Sequence, residues 1–251
     1  MKRVLLEVAY DGTDYHGFAL QENAVTIEGE LNRAVSSLEG RDVEVIGASR
    51  TDAGVHAKKN IAVFDSLSSI DPEKVSGALN VRLPGDIRIR GSYGVKDGFH
   101  PRKCDCIKTY VYSIINDRFE IPTKSRYTCF VPVSLDEKKM DEASRILLGE
   151  HDFKSFCSVH TQAESTVRRI TGIGVSRVEN EIYIKVSGTG FLYNMVRIIA
   201  GTLIDVGRGK TDPEAMQSIL DAADRTKAGP TAKPQGLCLE DIEILDRTYR
   251  C

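Results

Sequence analysis

The most informative stretch of this chain is residues 49–57, which read SRTDAGVHA. They lie between two segments, 43–46 and 60–64, whose composition is typical of β-strands. A polar, turn-prone loop between two strands is a common place for a functional site. Asp52 is the acid of this run, Arg50 lies close to it, and Gly54 leaves room for a substrate or a second loop.

The segments around this loop predict helices and strands along the whole chain. Apolar spacing, turn residues and capping residues define their ends. In the first half they give the order β-α-β-β-α-β, at 4–10, 27–38, 43–46, 60–64, 72–80 and 87–90. In the second half we predict strands at 107–115, 166–177, 181–187 and 237–245, and helices at 134–148, 191–206 and 213–223. The helix predicted at 134–148 begins with a capping box, Ser134 to Glu137.

These elements predict a mixed α/β (α+β) fold. Strands outnumber the helices that could cross over between parallel neighbours, so mainly antiparallel sheets flanked by helices fit best. A chain of 251 residues is long for one compact core. We therefore expect two similar subdomains, residues 1–104 with the Asp52 loop and residues 105–251.

Composition narrows the function without deciding it. The net charge is −2, but residues 82–108 hold seven Lys or Arg and three acids. This basic segment fits either a surface that meets phosphates or a solvated strand edge. The six cysteines form no CxxC pair, so we predict reduced thiols and no metal site. No apolar run is long enough to span a bilayer and the N-terminus leads directly into a strand, which predicts a cytoplasmic protein without a membrane anchor.

Five motifs together carry a family resemblance. They are YDG at 10–12 with Tyr15 and Gly17-Phe18, RTDAGVHA at 50–57, FHPR at 99–102, KTYVY at 108–112, and FLYNMVR at 191–197 with Gly201. In this order and spacing the chain resembles the tRNA pseudouridine synthase A family over nearly its whole length. RTDAGVHA is the specific signal, whereas YDG alone would not be.

Asp52 taken by itself could be a turn-capping aspartate, as most loop aspartates are. The resemblance implies instead that it is the catalytic nucleophile. Pseudouridine formation breaks the C1′–N1 bond, rotates the base and forms a C1′–C5 bond. An ionised carboxylate can begin this by attacking C1′, by attacking C6 or by provoking elimination towards a glycal, and the sequence leaves all three open.

Two further residues are candidates for the active site. Arg197 lies in an apolar helix, where an arginine side chain is rarely buried unless it is paired. We expect it to form an ion pair with Asp52 rather than to extend its guanidinium from the helix surface into solvent. The resemblance points to the same residue. Tyr110 could be a core aromatic, but it shares a strand face with Lys108, and the resemblance implies that it stacks on the target uracil. Tyr112 is expected in the core.

Four residues are candidates for RNA binding: Arg50, His100, Arg102 and Lys108. Arg50 could hold a phosphate or fill the space that a flipped uridine leaves. Asp11 and Tyr15 are second-rank candidates, as RNA contacts or loop supports. We assign no catalysis to His56 or His100, since a histidine that holds a loop is the more common case.

The resemblance implies an isomerase that acts on uridines 38, 39 or 40 of the tRNA anticodon stem-loop. It implies no cofactor, because the rearrangement involves no net oxidation, and a homodimer whose central cleft receives tRNA. Three alternatives stay open. They are a synthase for other tRNA or RNA positions, a non-catalytic RNA-binding protein on the same fold, and a nucleoside hydrolase or glycosidase, which usually needs a second carboxylate or a metal-bound water.

Overall fold

The structure is a computed structural model that describes residues 1–159, 161 and 163–250. Its helices and strands are, in chain order, β1 (Lys2–Tyr10), α1 (Ile27–Glu39), β2 (Ile46–Gly47), β3 (His56–Ser66), α2 (Val75–Asn80), β4 (Ile87–Val95), β5 (Cys106–Ile115), β6 (Cys129–Phe130), α3 (Glu137–Arg145), β7 (Gly149–Asp152), β8 (Val167–Val178), β9 (Glu181–Gly188), α4 (Met195–Gly207), α5 (Ala215–Asp221) and β10 (Leu237–Ile244). Short 3-10 turns connect several of them, including Pro72–Lys74 before α2.

The chain forms two compact units. The first is Met1–Cys106 together with Leu239–Cys251, and the second is Ile107–Cys238. The predicted division into 1–104 and 105–251 differs from this at the C-terminus, because the end of the chain returns to the first unit. In that unit, the residues of β10 from Leu239 onward lie beside β3.

The first unit has the predicted order β-α-β-β-α-β from β1 to β4. Its strand β1 pairs antiparallel with β3 on one side and with β4 on the other. The apolar spacing of α1 places Ile27, Leu31 and Val35 in the core. Gly40 ends that helix with a φ of 67°, as a left-handed glycine at a helix C-terminus does.

In the second unit the strands run in the order β5-β9-β8-β7, and each neighbouring pair is antiparallel. The short strand β6 pairs parallel with β5. Helix α3 packs on β8 and on α4. The prediction of a mixed α/β fold with mainly antiparallel strands flanked by helices is therefore confirmed.

Several predicted boundaries were wrong. The strand predicted at 43–46 is reduced to Ile46–Gly47, while β3 begins at His56, four residues earlier than predicted. The helix predicted from Phe191 begins at Met195, because Asn194 adopts a left-handed conformation with a φ of 60°. A helix cannot run through such a residue.

The predicted capping box in the second unit was also wrong. The N-cap of α3 is Asp136, whose carboxylate accepts hydrogen bonds from the Lys138 and Lys139 N–H groups. Glu137, which a capping box would turn back to the N-cap, instead pairs with Arg177 at 2.9 Å. The predicted end of α3 near 148 and the predicted start of α5 at 213 are likewise too generous, since these helices end at Arg145 and begin at Ala215.

Among the described residues, no helix combines the length and the apolarity that a membrane crossing requires.

Candidate active site

Asp52 lies on a tight turn in the loop between β2 and β3. The Val55 N–H donates to the Asp52 carbonyl oxygen at 3.1 Å, and Gly54, the third residue of the turn, has a φ of 75°. A positive φ at this position favours glycine. Thr51 and Val55 are buried and Asp52 is half-buried. The main chain is thus fixed on both sides of the carboxylate.

A second segment, residues 10–18, holds this turn; we call it the N-terminal loop. The hydroxyl groups of Tyr10 and Thr51 share a buried hydrogen bond of 2.7 Å. The Gly54 N–H donates to the Tyr15 carbonyl oxygen at 3.3 Å. The two motifs that lie apart in the sequence therefore form one packed structure.

Two glycines allow this close packing. A Cβ atom on Gly12 would lie 2.0 Å from the Val55 carbonyl oxygen, and one on Gly17 would lie 2.7 Å from the Thr51 carbonyl oxygen. Gly17 also has a φ of 94°, a conformation that other residues rarely adopt. The next N–H, that of Phe18, donates to the same Thr51 oxygen at 3.0 Å. The glycine spacing of the N-terminal motif follows from this contact.

Sequence reasoning missed Asn60, which anchors the start of the Asp52 loop. Its side chain is fully buried. The amide donates to the Ser49 carbonyl oxygen at 2.8 Å and to the Tyr10 hydroxyl at 3.2 Å, and its oxygen accepts from the Ser49 N–H at 3.2 Å. The available signal was one amide side chain at the head of an apolar strand, since a buried amide needs several partners.

His56 is buried and holds the N-terminal loop. The Gly12 N–H donates to its Nδ1 at 3.1 Å, and Asp11 Oδ1 lies 3.1 Å from the same nitrogen. One nitrogen cannot accept the first bond and donate the second. We assign the bond from Gly12, because Asp11 Oδ1 has donors of its own in the N–H and hydroxyl of Thr13, whereas a buried N–H without a partner is costly.

Asp11 and Tyr15 both make contacts that support the N-terminal loop. The Tyr15 hydroxyl donates to Asp86 Oδ1 at 2.7 Å, and the Asp11 N–H donates to the Asp86 carbonyl oxygen at 2.9 Å. Burial and the hydrogen bond to Asp86 raise the pKa of Tyr15. Its hydroxyl therefore stays protonated and continues to donate this bond throughout the physiological range.

Arg50 is the exposed cation of the Asp52 loop. Within the part of the chain that the structure describes, its side chain makes no hydrogen bond or ion pair. Arg102 is also exposed, in the loop that follows β4. Both guanidinium groups are therefore accessible to an external anion.

His100 lies in the same loop as Arg102 and is half-buried. Its Nδ1 accepts a hydrogen bond from the Arg102 N–H at 3.2 Å. Burial lowers the pKa of His100, and the charges of Arg102, Lys103 and Arg3 lower it further. The imidazole is consequently neutral at pH 7, so it is not one of the cations of this loop.

Tyr110 lies on β5 in the second unit, opposite Val186 of β9. The residue is buried, with 7% of its surface exposed, and its ring makes a T-shaped contact with Phe191, with the centroids 5.2 Å apart and the planes at 85°. Lys108, two residues earlier on the same face, pairs in register with Gly188 and is half-buried. This end of the strand carries both the aromatic and the cationic candidate.

Tyr112 belongs to the core, as predicted. It is fully buried, and its hydroxyl donates to the Lys233 carbonyl oxygen at 2.8 Å. Burial raises the pKa of this hydroxyl. Gly236 packs against its ring so closely that a Cβ there would lie 2.7 Å from the Tyr112 Cζ atom.

Arg197 lies in the first turn of α4, and its guanidinium is held at two points. Nε donates to the Ala232 carbonyl oxygen at 2.8 Å, and Nη1 donates to Asn194 Oδ1 at 2.7 Å. Asn194 is itself fixed by its left-handed backbone conformation and by a hydrogen bond that its side-chain amide donates to Ser158 Oγ at 2.8 Å. Neither Asn194 nor Ala232 was a candidate from sequence, because nothing local marks a residue that positions another one.

The structure thus places Asp52 and Arg50 on one loop of the first unit, and Tyr110, Lys108 and Arg197 in the second unit. Within the described ranges, no group of three or more His, Cys, Asp or Glu side chains is arranged to hold a metal ion.

Comparisons with known proteins identify the family. A family model described as tRNA pseudouridine synthase matches residues 7–102 and 143–243. The tRNA pseudouridine synthase A of Brevibacillus brevis is 43% identical over 242 residues, which cover 96% of this chain and 99% of that protein. The tRNA pseudouridine synthase A of Thermoanaerobacter sp. is also 43% identical over 242 residues, with the same coverage.

The chain also matches a third relative and a solved structure. The tRNA pseudouridine synthase A 2 of Clostridium perfringens is 44% identical over 243 residues, covering 96% of this chain and 99% of that protein. Among solved structures, a chain of the archaeal box H/ACA sRNP Nop10-Cbf5 complex aligns with 80% of this chain and 44% of its own length, at 10% identity and a TM-score of 0.37. From the family model and the near full-length relatives, the chain belongs to the tRNA pseudouridine synthase family, a family of isomerases.

Proposed function

We propose that this chain converts uridine to pseudouridine in tRNA, with Asp52 as the nucleophile, at positions 38, 39 or 40 of the anticodon stem-loop. Family membership supports the reaction and the substrate class. One observation carries the assignment of Asp52: the turn that bears it is fixed by the N-terminal loop through buried hydrogen bonds and two glycine contacts. A fixed carboxylate loses little freedom when it meets its substrate.

The proposed chemistry requires an ionised Asp52. Whether it attacks C1′ or C6 or provokes elimination, the anion is the reacting species. A positive neighbour offsets the cost of removing that anion from water. We propose Arg197 for this role, and its anchoring by Asn194 and Ala232 supports a fixed rather than a mobile guanidinium.

Tyr110 is proposed to stack on the target uracil. Its T-shaped contact with Phe191 restricts the tilt of the ring, and the π-face of an aromatic ring is a surface on which a base can stack. Arg50, Arg102 and Lys108 are proposed to contact RNA phosphates. For His100 the lowered pKa favours a hydrogen bond or a stacking contact with RNA over a phosphate ion pair.

The reaction is tested by release of tritium from C5. Wild-type protein is incubated with tRNA labelled at uridine C5, because formation of the C1′–C5 bond expels that hydrogen into water. We expect release by the wild type and none by Asp52→Ala or Asp52→Asn, with tRNA binding retained in both variants.

Asp71→Asn is the matched control. It removes one negative charge from the same unit, while an Asn side chain can still accept the Glu73 N–H bond that Asp71 accepts. Release comparable to wild type is expected from this variant. No release by the wild type from several tRNAs would contradict the proposed enzymatic activity and favour a non-catalytic RNA-binding protein. Release by Asp52→Ala would contradict the assignment of Asp52 as the nucleophile.

Specificity is tested with transcripts that hold a single uridine at position 38, 39 or 40 of the anticodon stem-loop. Product at one or more of these positions supports the proposed specificity, and product elsewhere supports the alternative of a synthase for other positions.

The homodimer and the cytoplasmic location stay predictions. Sedimentation of the purified chain at twice its monomer mass would confirm the first.

A further inference from the structure

We propose that Arg225 is a positioning residue for the reaction, because it holds the segment that fixes Arg197. We call this segment, residues 228–232, the strap. The inference rests on the proposed role of Arg197 beside Asp52, and it adds a residue that the family motifs above do not include. Each contact in the argument lies within the second unit.

The strap is bonded to Arg197 twice. Its last residue, Ala232, donates its N–H to the Arg197 carbonyl oxygen at 3.0 Å and accepts the Arg197 Nε–H on its own carbonyl oxygen at 2.8 Å. Main chain and side chain of Arg197 are therefore tied to the same residue. A shift of Ala232 along α4 would move the guanidinium with it.

Close packing seats the strap on α4. A Cβ atom on Gly201 would lie 1.8 Å from the Pro230 carbonyl oxygen, and one on Gly229 would lie 2.7 Å from Thr202 Cα. The Gly229 N–H donates to Thr202 Oγ1 at 2.9 Å, and that hydroxyl donates in turn to the Ile198 carbonyl oxygen at 2.8 Å. The strap can reach this depth only because two backbones meet without side chains between them.

Arg225 holds the other side of the strap. Its Nη1 donates to the carbonyl oxygens of Ala228 at 3.3 Å and Gly229 at 2.9 Å, and its Nη2 donates to Thr231 Oγ1 at 3.2 Å. Three of the five strap residues are thus bonded to one planar group. A guanidinium can serve three acceptors in a fixed fork, whereas an ammonium group on a flexible stem holds them less rigidly.

Arg225 is itself fixed by the preceding residue. The Asp224 N–H donates to the buried Ser155 Oγ at 2.9 Å, and burial lowers the pKa of Arg225. A partly desolvated arginine needs acceptors, and the strap carbonyls supply them. The contacts therefore run from Ser155 through Arg225 and the strap to Arg197.

The test compares Arg225→Met, Arg225→Lys and Thr202→Val with wild type. Displacing Arg197 should weaken stabilisation of the Asp52 anion without removing an RNA contact. We expect kcat to fall by about 10- to 100-fold in Arg225→Met, with KM for tRNA within about twofold, and the acid limb of the kcat–pH profile to move to higher pH. Arg225→Lys should be intermediate, and Thr202→Val should show the same changes as Arg225→Met.

Arg177→Met is the matched control, since Arg177 also ties a loop of this unit. It donates to Glu137, to Asn116 and to the Leu135 carbonyl oxygen. This variant should lose stability and keep the wild-type kcat and pH profile. Equal changes in kcat and pH profile in Arg177→Met and Arg225→Met would overturn the proposal, because the effect would then be general destabilisation.

A second measurement separates this inference from the proposed function. Hydrogen exchange of the Ala232 amide and of the Arg197 Nε–H, followed by NMR, reports the strap without any turnover. We expect faster exchange at both sites in Arg225→Met and in Thr202→Val, and no change there in Arg177→Met. Unchanged exchange in Arg225→Met would overturn the claim that Arg225 holds the strap. Faster exchange together with a wild-type kcat would overturn the claim that the strap contributes to the reaction. Wild-type protein without turnover overturns the proposed function instead.

Discussion

The hydroxyl oxygens of Tyr10 and Thr51 lie 2.7 Å apart in a buried hydrogen bond, although the two residues are 41 positions apart in the chain. Tyr10 ends β1, and Thr51 directly precedes Asp52. The Asn60 amide donates to the same tyrosine hydroxyl at 3.2 Å. The position of the Asp52 turn is therefore set relative to the strands of the first unit by a small buried polar network.

Tyr10→Phe tests this network. The change removes one hydroxyl that two buried polar groups use, so we expect the free energy of unfolding to fall by about 1–3 kcal/mol. We also expect kcat to fall, because the Asp52 turn becomes less fixed. Urea unfolding and tritium release measure the two effects. Tyr183→Phe, which loses a hydroxyl bonded to Glu181 in the other unit, should leave kcat unchanged; an equal loss there would contradict the specific role of Tyr10.

Arg50→Gln should weaken tRNA binding and leave the chemical step intact. The exposed guanidinium is replaced by a neutral side chain, so we expect a higher KM and a salt-dependence slope of binding smaller by about 1. Filter binding at several salt concentrations measures this. Arg33→Gln removes a charge from α1 that is paired with Glu30 and should leave the slope unchanged. A wild-type slope in Arg50→Gln would exclude a phosphate contact by this residue.

Tyr110 should act mainly through its ring. In Tyr110→Leu the stacking platform is lost, which costs about 1–3 kcal/mol per base and lowers kcat/KM by roughly 5- to 150-fold. Tyr110→Phe retains the ring and its T-shaped contact with Phe191, so kcat/KM should change much less. Single-turnover assays on a labelled stem-loop compare the two variants. Equal losses in both would show that the hydroxyl, and not the ring, matters.

Acid sensitivity of the second unit should depend on Asp141. The hydrogen bond from the Val175 N–H, and next the contact with Arg145, lower the pKa of Asp141 below its ordinary value of 3.8. A lowered pKa in the folded state adds stability that is full above pH 3.8 and is lost as the pH falls through the folded-state value.

Asp141→Asn should therefore be less stable than wild type at pH 7, and the difference should shrink below pH 3.8. Urea unfolding across this range measures it. Asp42→Asn, an exposed position in the other unit, is the control for loss of one charge. A difference from wild type that stays constant down to low pH would show that the Asp141 charge does not contribute.

Most helices and strands could be predicted from the sequence because burial periodicity is a local property. The apolar spacing of α1 and the left-handed Gly40 at its end are examples. The start of α4 could not be predicted, because Asn194 takes a left-handed conformation in which its side chain bonds Ser158 and Arg197. The N-cap of α3 was missed because Glu137 pairs with Arg177 of β8 instead of returning to the cap.

The sequence by itself determined the mixed α/β fold class, the family and the loop that carries Asp52, because these depend on residue types and on their spacing along the chain. The tertiary structure decided what holds that loop and what holds Arg197. Gly12 meets Val55, Asn60 meets Ser49 and Tyr10, and Ala232 meets Arg197. A local pattern shows that a side chain is buried, but the segment that covers it is selected by how the whole chain packs.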